Sequence, residues 1–373
     1  MTSQLKPIRV LLRIAILLSI SSVALGQVNT GAVKRVTLKS TVLGEDRVVL
    51  VRTPAGYETN KLAYPVLYMT DGDAHMGHTA ATIEFLTQNG RMPELIVVGV
   101  TNTDRTRDLT PAKSANKNAA GELQFPTAGG ADNFLKFFET ELIPQIEKDY
   151  RVQPYRILAG HSFGGLFAIH AMITKPGLFN SYVAVSPSLQ WENAETLKRA
   201  EDFLKNQKEM RVTLYTSLGN EPGPIGESFD KFREALAKTN IKGFEWQAER
   251  MDDEDHGSVV LRSHYFGLRK VYDGWQGPRD VQSGGLAGGL KGIDDHYKKL
   301  SEKFGYTIPV PENLINQMGY QLLAQGKPEE AISVFKGLCT KTTHVSEWMI
   351  SSNLPKRLPR TYESHQRELV DRS

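Results

Sequence analysis

From Val33 to Tyr272 short apolar runs alternate with longer stretches of helical periodicity. Eight segments read as strands, at 33–38, 47–52, 64–70, 95–101, 156–160, 182–185, 211–217 and 244–249. Several are almost continuously apolar, such as Leu95-Ile96-Val97-Val98-Gly99-Val100, the pattern of strands buried on both faces of a mostly parallel sheet. Helical spacing falls between them at 74–88, 131–149, 164–174, 194–206 and 227–238. Two β-rich segments come first and strand–helix alternation follows. The pattern therefore predicts an α/β fold, with a mostly parallel central sheet flanked by helices.

Beyond 276 the pattern changes. Residues 277–292 are rich in glycine, including Gly284-Gly285 and Gly288-Gly289, and read as a linker. A helical patch at 294–304 is followed by Pro309 and Pro311. From 311 to 338, Gly319, Leu322, Ala331, Phe335 and Leu338 take the small and apolar positions of a tetratricopeptide unit, with Gly326-Lys327-Pro328 as its turn. A single copy cannot bury its own apolar face, so it is expected to dock on the rest of the chain or on a protein partner. The polar, aperiodic stretch 339–373 reads as disordered.

At the other end, Lys6, Arg9 and Arg13 precede an apolar run from Ile14 to Leu25, and Ala24-Leu25-Gly26 supplies small residues before Gln27. This is the layout of a secretory signal peptide over 1–26, too short for an ordinary membrane span. The expected organisation is then a catalytic domain over 27–276, a linker and helix over 277–310, a helical hairpin over 311–338 and a tail over 339–373. Export, to the periplasm or beyond the cell, also settles the charge. The formal +3 comes from three basic residues in the removed segment, leaving 42 Lys+Arg against 42 Asp+Glu. Nucleic acid is not an expected partner of a near-neutral chain. The single cysteine, Cys339, excludes an internal disulfide, and nothing suggests a thiolate metal site.

The chemistry concentrates in Gly160-His161-Ser162-Phe163-Gly164-Gly165, which follows an apolar strand and opens a helical run. Such a strand–turn–helix forces the serine into a strained conformation that only small neighbours tolerate, and exposes its hydroxyl at a helix N-terminus. A serine alcohol needs a base. Of nine histidines, His75, His78, His161 and His170 precede or adjoin the turn. His264 lies in a helical stretch, and His296, His344 and His365 lie in the C-terminal region. His256, in a loop past the last strand and followed by Gly257-Ser258, is expected to be the base.

The orienting carboxylate is expected at Glu221, in the turn after strand 211–217. Asp252, Asp253 and Asp255 in the acidic run before His256, and Glu227, are the rivals. Two backbone N–H groups should hold the oxyanion, those of Phe163 and of Asp73 in the loop Thr70-Asp71-Gly72-Asp73. The alternative for that loop is a divalent-metal site formed by Asp71, Asp73, His75 and His78.

Taken together with Tyr68-Met69-Thr70-Asp71-Gly72, Asn102 through Arg107-Asp108-Leu109-Thr110-Pro111, Ser186-Pro187-Ser188 with Trp191, and Asp255-His256-Gly257-Ser258, the sequence resembles the Putative esterase family. Within it the likeness is to the enterochelin-esterase-like branch, related to esterase D. The resemblance implies an α/β-hydrolase fold and ester hydrolysis through Ser162, His256 and Glu221, with no cofactor. It also implies that Arg107 and Asp108 shape or line the substrate pocket and that Trp191 flanks it. Gln190 stands where the family often carries an aromatic. A siderophore-type lactone and a short-chain or aromatic ester are both compatible substrates. An acyltransferase using the same triad, and a non-catalytic binding module presenting the helical hairpin, are the alternatives from other classes.

Overall fold

The computed structural model describes residues 33–277 and 288–341. The expected signal peptide, much of the glycine-rich stretch and nearly all of the tail fall outside them. Eight strands form one sheet: β1 (Val33–Ser40), β2 (Glu45–Arg52), β3 (Tyr64–Met69), β4 (Ile96–Val100), β5 (Val152–His161), β6 (Ser181–Val185), β7 (Glu209–Gly219) and β8 (Lys242–Met251). Their spatial order is β1-β2-β4-β3-β5-β6-β7-β8. The β1–β2 and β2–β4 pairs are antiparallel, and every pair from β4 to β8 is parallel. The expected fold class is the observed one.

Successive side chains of a strand point to opposite faces, which divides the core in two. Val66, Tyr68, Val98 and Leu158 belong to one face. Helices α3 (Ala131–Phe137), α4 (Ile143–Asp149), α5 (Phe163–Thr174), α6 (Trp191–Asn206) and α7 (Pro224–Lys238) cover it with residues such as Phe134, Ile146, Phe167, Leu197 and Phe232. Leu67, Met69, Val97, Ile157 and Ala159 belong to the other. It is covered by α1 (Gly72–Gln88) through Met76, Ile83 and Leu86, and by α8 (Val259–Val271) through Val259, Val260 and Leu268. A short α2 (Arg105–Leu109) follows β4.

Two expected helices differ in detail. The helix foreseen over 131–149 is interrupted by a π-helical turn at Phe138–Leu142, which seats Phe134, Phe137 and Phe138 in the core. At the start of α6, Glu192, Asn193 and Ala194 are left-handed, with φ of 43°, 56° and 58°, a conformation costing roughly 1–2 kcal/mol at Glu192 and at Ala194 and less at Asn193.

The next helix, α9 (Gly289–Phe304), begins inside the stretch read as a linker. It docks on the second face, with Phe304 stacked on Tyr272 at 5.1 Å and edge-on to Tyr155 at 4.9 Å. Helices α10 (Glu312–Ala324) and α11 (Pro328–Lys341) form a hairpin around Ile315 and Val334. Its apolar positions are covered by Leu290 of α9 and by Val310, so the unit docks on its own chain. Among the described residues no helix is long and apolar enough to cross a membrane.

Candidate active site

Strand β5 ends at His161 and α5 begins at Phe163, leaving Ser162 as the one-residue junction. Its backbone sits at φ 61°, ψ −114°, a conformation costing a non-glycine residue on the order of 1–3 kcal/mol. The reversal also brings the chain against itself. A Cβ on Gly160 would lie 2.2 Å from the Gly164 carbonyl oxygen, and one on Gly164 would lie 2.2 Å from Thr70 Oγ1. At Gly160 the clash is with backbone and excludes any side chain, whereas at Gly164 the Thr70 side chain would have to shift. The Ser162 N–H donates to Val185 C=O at 2.9 Å, and its own C=O accepts from Leu166 N–H (2.9 Å) and Ser188 N–H (3.2 Å). The side chain is half-buried, with Oγ 3.4 Å from Ser188 Oγ.

Glu221 stands two residues past β7, and His256 lies in the loop between β8 and α8. Glu221 is 8% exposed, and its Oε2 accepts from His256 Nδ1–H at 2.5 Å. The other oxygen, Oε1, accepts from Ser186 Oγ–H at 2.6 Å and Gly219 N–H at 3.3 Å. Burial opposes ionisation of Glu221, but the bonds from His256 and Ser186 outweigh it and hold the carboxyl below its ordinary range. With Nδ1–H donated to a carboxylate, the neutral imidazole presents Nε2 as its basic nitrogen. The imidazole is 44% exposed. Its loop is tied to the serine turn, because His161 Nε2–H donates to the His256 carbonyl at 2.6 Å.

The rival carboxylates lie elsewhere. Asp253 pairs with Arg262 at 2.5 Å, and Asp255 accepts from the Gly257 and Ser258 N–H groups at 2.8 and 2.7 Å. Asp252 is 3.8 Å from Arg250, and Glu227 sits in the first turn of α7.

Two helix N-termini face the serine turn. Phe163 is the first residue of α5. The ladder of α1 starts with Ala74 and His75 N–H, both donating to Asp71 C=O at 3.0 Å, so the Gly72 and Asp73 N–H groups lie outside it. Thr70 and Asp71 pack directly on Gly164 in the first turn of α5.

What locks the two together is Arg105. It binds Asp71 through Nε (2.6 Å) and Nη2 (3.1 Å), and the same Nη2 donates to the His161 carbonyl at 3.0 Å. Asn102 adds a 2.6 Å bond to Asp71 Oδ1. Burial pushes the Asp71 carboxyl up, and these partners outweigh it, so it lies below its usual range. Asp71 itself is left-handed, at φ 54°.

Arg107 and Asp108 sit in a different network. Arg107 Nε is 2.8 Å from Asp108 Oδ1 and its Nη2 is 2.7 Å from Glu45, while buried Arg47 pairs with Asp108 at 2.7 Å and Glu45 at 2.8 Å. Both oxygens of Asp108 therefore face arginines, and the network braces β2 against α2. Trp191 is buried, donates Nε1–H to Ala112 C=O at 3.0 Å and packs edge-on to Phe163 (4.9 Å) and Phe125 (5.1 Å). It thus borders the residue that follows Ser162. Gln190, beside it, is half-buried.

On the α1–α8 face, His75, His78 and His264 form a triangle of rings 5.2–6.0 Å apart, and His161 joins it through His75 at 5.7 Å. Burial lowers the affinity of all four for protons and pushes His161 down to about 4. Because Asp71 is held by Arg105 and Asn102, it is not free to join His75 and His78 around an ion. Among the described residues no three His, Cys, Asp or Glu are arranged to hold a metal.

Sequence reasoning met Ser186 and Arg105 only inside motif segments and gave neither a role, and it did not foresee the bond from His161. A carboxylate buried at a helix N-terminus demands a cation, but the sequence offers two arginines within three residues and only the fold selects Arg105.

This geometry has relatives. The ferri-bacillibactin esterase of Bacillus subtilis is 32% identical over 219 residues, covering 53% of this chain and 75% of that protein. The siderophore enterobactin esterase of Emericella nidulans is 34% identical over 255 residues, 57% of this chain and 82% of that one. An IroE-like serine hydrolase from Shewanella oneidensis superposes with a TM-score of 0.71 at 28% identity, covering 82% of this chain and all of that structure. The family model described as Putative esterase matches residues 40–258, a span that runs from the end of β1 to the loop carrying His256. By that match over more than half its length, the chain belongs to the Putative esterase family.

Proposed function

We propose that this chain is an exported serine esterase that hydrolyses carboxylic esters through an acyl-enzyme on Ser162. The observation that carries the proposal is a strained serine at the head of α5, in a turn bonded through His161 to the loop of a histidine whose Nδ1 is engaged by a buried carboxylate. His256 Nε2 takes the Ser162 proton as Oγ attacks the ester carbonyl, and Glu221 stabilises the resulting imidazolium. The Phe163 and Asp73 N–H groups hold the tetrahedral oxyanion, each worth roughly 3–4 kcal/mol in such sites. Collapse expels the alcohol, which takes the proton back from His256. Water, deprotonated by His256, then attacks the acyl-serine and releases the acid with Ser162 restored. Ser162 Oγ faces Ser188 in the resting structure, and catalytic hydrogen bonds of this kind commonly tighten only when substrate binds.

The substrate we favour is a siderophore-type lactone, supported by the likeness to a ferri-bacillibactin esterase and to a siderophore enterobactin esterase; a short-chain or aromatic ester fits the same machinery. Trp191, with Phe163 and Phe125, is proposed as one wall of the pocket. Arg107 and Asp108 act on the pocket by shaping it through the Glu45–Arg47 network. Residues 1–26 are proposed as the export signal. The α10–α11 hairpin is proposed as a lone tetratricopeptide-like unit that caps its own chain.

The test is turnover of p-nitrophenyl butyrate and of a trilactone siderophore by the chain from Gln27 onward, beside Ser162→Ala. The expected loss is on the order of a millionfold in the variant. Equal turnover by both proteins rules the mechanism out.

A further inference from the structure

His161 immediately precedes the serine turn, and the alternation of β5 fixes where it points. Ile157 and Ala159 pack on the face covered by α1 and α8, so His161, two residues on, shares that face. The loop carrying His256 enters α8 on the same side, three residues before the helix begins. Two segments far apart in sequence are thus brought edge to edge. Their link is the 2.6 Å bond from His161 Nε2 to the His256 carbonyl, with the two rings 4.6 Å apart. A carbonyl only accepts, so the His161 proton is on Nε2.

On the esterase reading of this site, we propose that His161 is a positioning residue that sets the distance between Ser162 and His256 by holding the His256 backbone against the serine turn. Three features support it. First, the bond is made to the main chain of the base and not to its ring, so His161 fixes the position of His256 without competing for Nδ1, which Glu221 holds. Second, His161 is itself immobilised. Its carbonyl accepts from Arg105 at 3.0 Å, and its ring lies edge-on to His75 at 5.7 Å. A rigid donor transmits position; a mobile one does not. Third, burial and the neighbouring His256 keep the His161 ring neutral. The bond is therefore a neutral one that adds no positive charge beside the imidazolium formed during turnover. Glu221 orients the imidazole, and His161 sets where it stands.

The assignment separates two properties of residue 161, its ring volume and its N–H. His161→Phe keeps the ring and removes the donor. His161→Gln retains an N–H of comparable reach on a smaller side chain. A nucleophile and base set apart by even 1 Å can lose on the order of a hundredfold in rate. With p-nitrophenyl butyrate, His161→Phe is therefore expected to lose about ten- to a hundredfold in kcat, with KM changed less than about twofold. His161→Gln should recover most of that loss while the two melting temperatures stay alike. Hydrogen–deuterium exchange across 252–259 reads the same bond without substrate, and should rise in His161→Phe and return towards wild type in His161→Gln.

Equal loss of kcat in both variants, wild-type kcat in His161→Phe, or unchanged exchange across 252–259 in a folded His161→Phe would each overturn the assignment. If His161→Phe does not fold, His161→Gln decides alone: near-wild-type kcat and exchange support the assignment, and a hundredfold loss with intact folding refutes it. Absence of turnover in the wild-type protein is a failure of the esterase proposal, and the exchange measurement still decides whether His161 holds the loop.

Discussion

Changing Glu221 to glutamine alters two atoms and should silence the site without unfolding it. Glu221 Oε1 accepts from Ser186 Oγ–H at 2.6 Å and Gly219 N–H at 3.3 Å. An amide in the same place must keep its oxygen there, because an NH2 group would face two donors. Its NH2 then points at His256 Nδ1, where Oε2 now accepts at 2.5 Å. To avoid opposing two donors, the imidazole must move its proton to Nε2, the nitrogen that has to receive the Ser162 proton. The base is then in the wrong tautomer, and the incipient imidazolium has lost its counter-charge.

The comparable carboxylate-to-amide change in a serine protease triad lowers kcat about 10⁴-fold, close to 5 kcal/mol of barrier. Ser186→Ala removes one of three donors to the same carboxylate and leaves the tautomer intact, so about a tenfold loss is expected. The assay is kcat for p-nitrophenyl butyrate, with melting temperature measured alongside. Glu221→Gln within tenfold of wild type would falsify the orienting role, as would a larger loss for Ser186→Ala than for Glu221→Gln.

Three further outcomes follow from the same contacts. His264 is buried, His161 and His78 are half-buried, and the proton affinities of all three are lowered, that of His161 from an ordinary 6.5 to about 4. Between those values the unfolded chain binds protons that the folded chain refuses. Stability should thus fall as pH drops from about 6.5 to 4, with His161 alone contributing up to about 3 kcal/mol; a flat denaturant midpoint across that window contradicts it. Gly164→Ala places a Cβ 2.2 Å from Thr70 Oγ1 and should cost about 1–3 kcal/mol of stability together with activity, partly restored by adding Thr70→Ala; wild-type behaviour in the single variant counts against the packing. Arg105→Met leaves the Asp71 carboxylate buried with only neutral side-chain donors, Asn102 at 2.6 Å and the Thr70 hydroxyl at 3.4 Å. Since Arg105 is 34% exposed, the cost expected in chemical denaturation is about 2–4 kcal/mol, and adding Asp71→Asn should recover part of it.

Much of this was legible in the residues because buried parallel strands cannot alternate. Runs such as Ile96-Val97-Val98 mark themselves as fully covered, and all eight expected strands lie within or overlap observed ones. The serine turn was legible for a steric reason, since Gly160 and Gly164 leave no room for a Cβ. Glu221 was placed by the turn after strand 211–217 and His256 by the loop past the last strand, and the structure brings their side chains to 2.5 Å.

What stayed hidden depends on contacts between distant segments. Nothing local distinguishes Arg105, which clamps Asp71, from Arg107, which braces Glu45 and Asp108. The left-handed run at Glu192–Ala194 opposes the preferences of Glu192 and Ala194, so those residues gave no sign of it. The glycine-rich stretch misled in the opposite direction. Gly289 and Gly292 disfavour a helix, yet α9 begins there because Ile293, Leu300 and Phe304 bury themselves further along.

The central claim is that the ester's acyl group passes through Ser162. It is tested most directly by mixing the protein with a p-nitrophenyl ester, quenching in acid within the first turnovers, and locating the acyl group by peptide mass spectrometry. The account predicts one acyl group on the peptide containing Ser162, lost in Ser162→Ala together with turnover. Turnover with the acyl group on another residue, or undiminished turnover in Ser162→Ala, would contradict it.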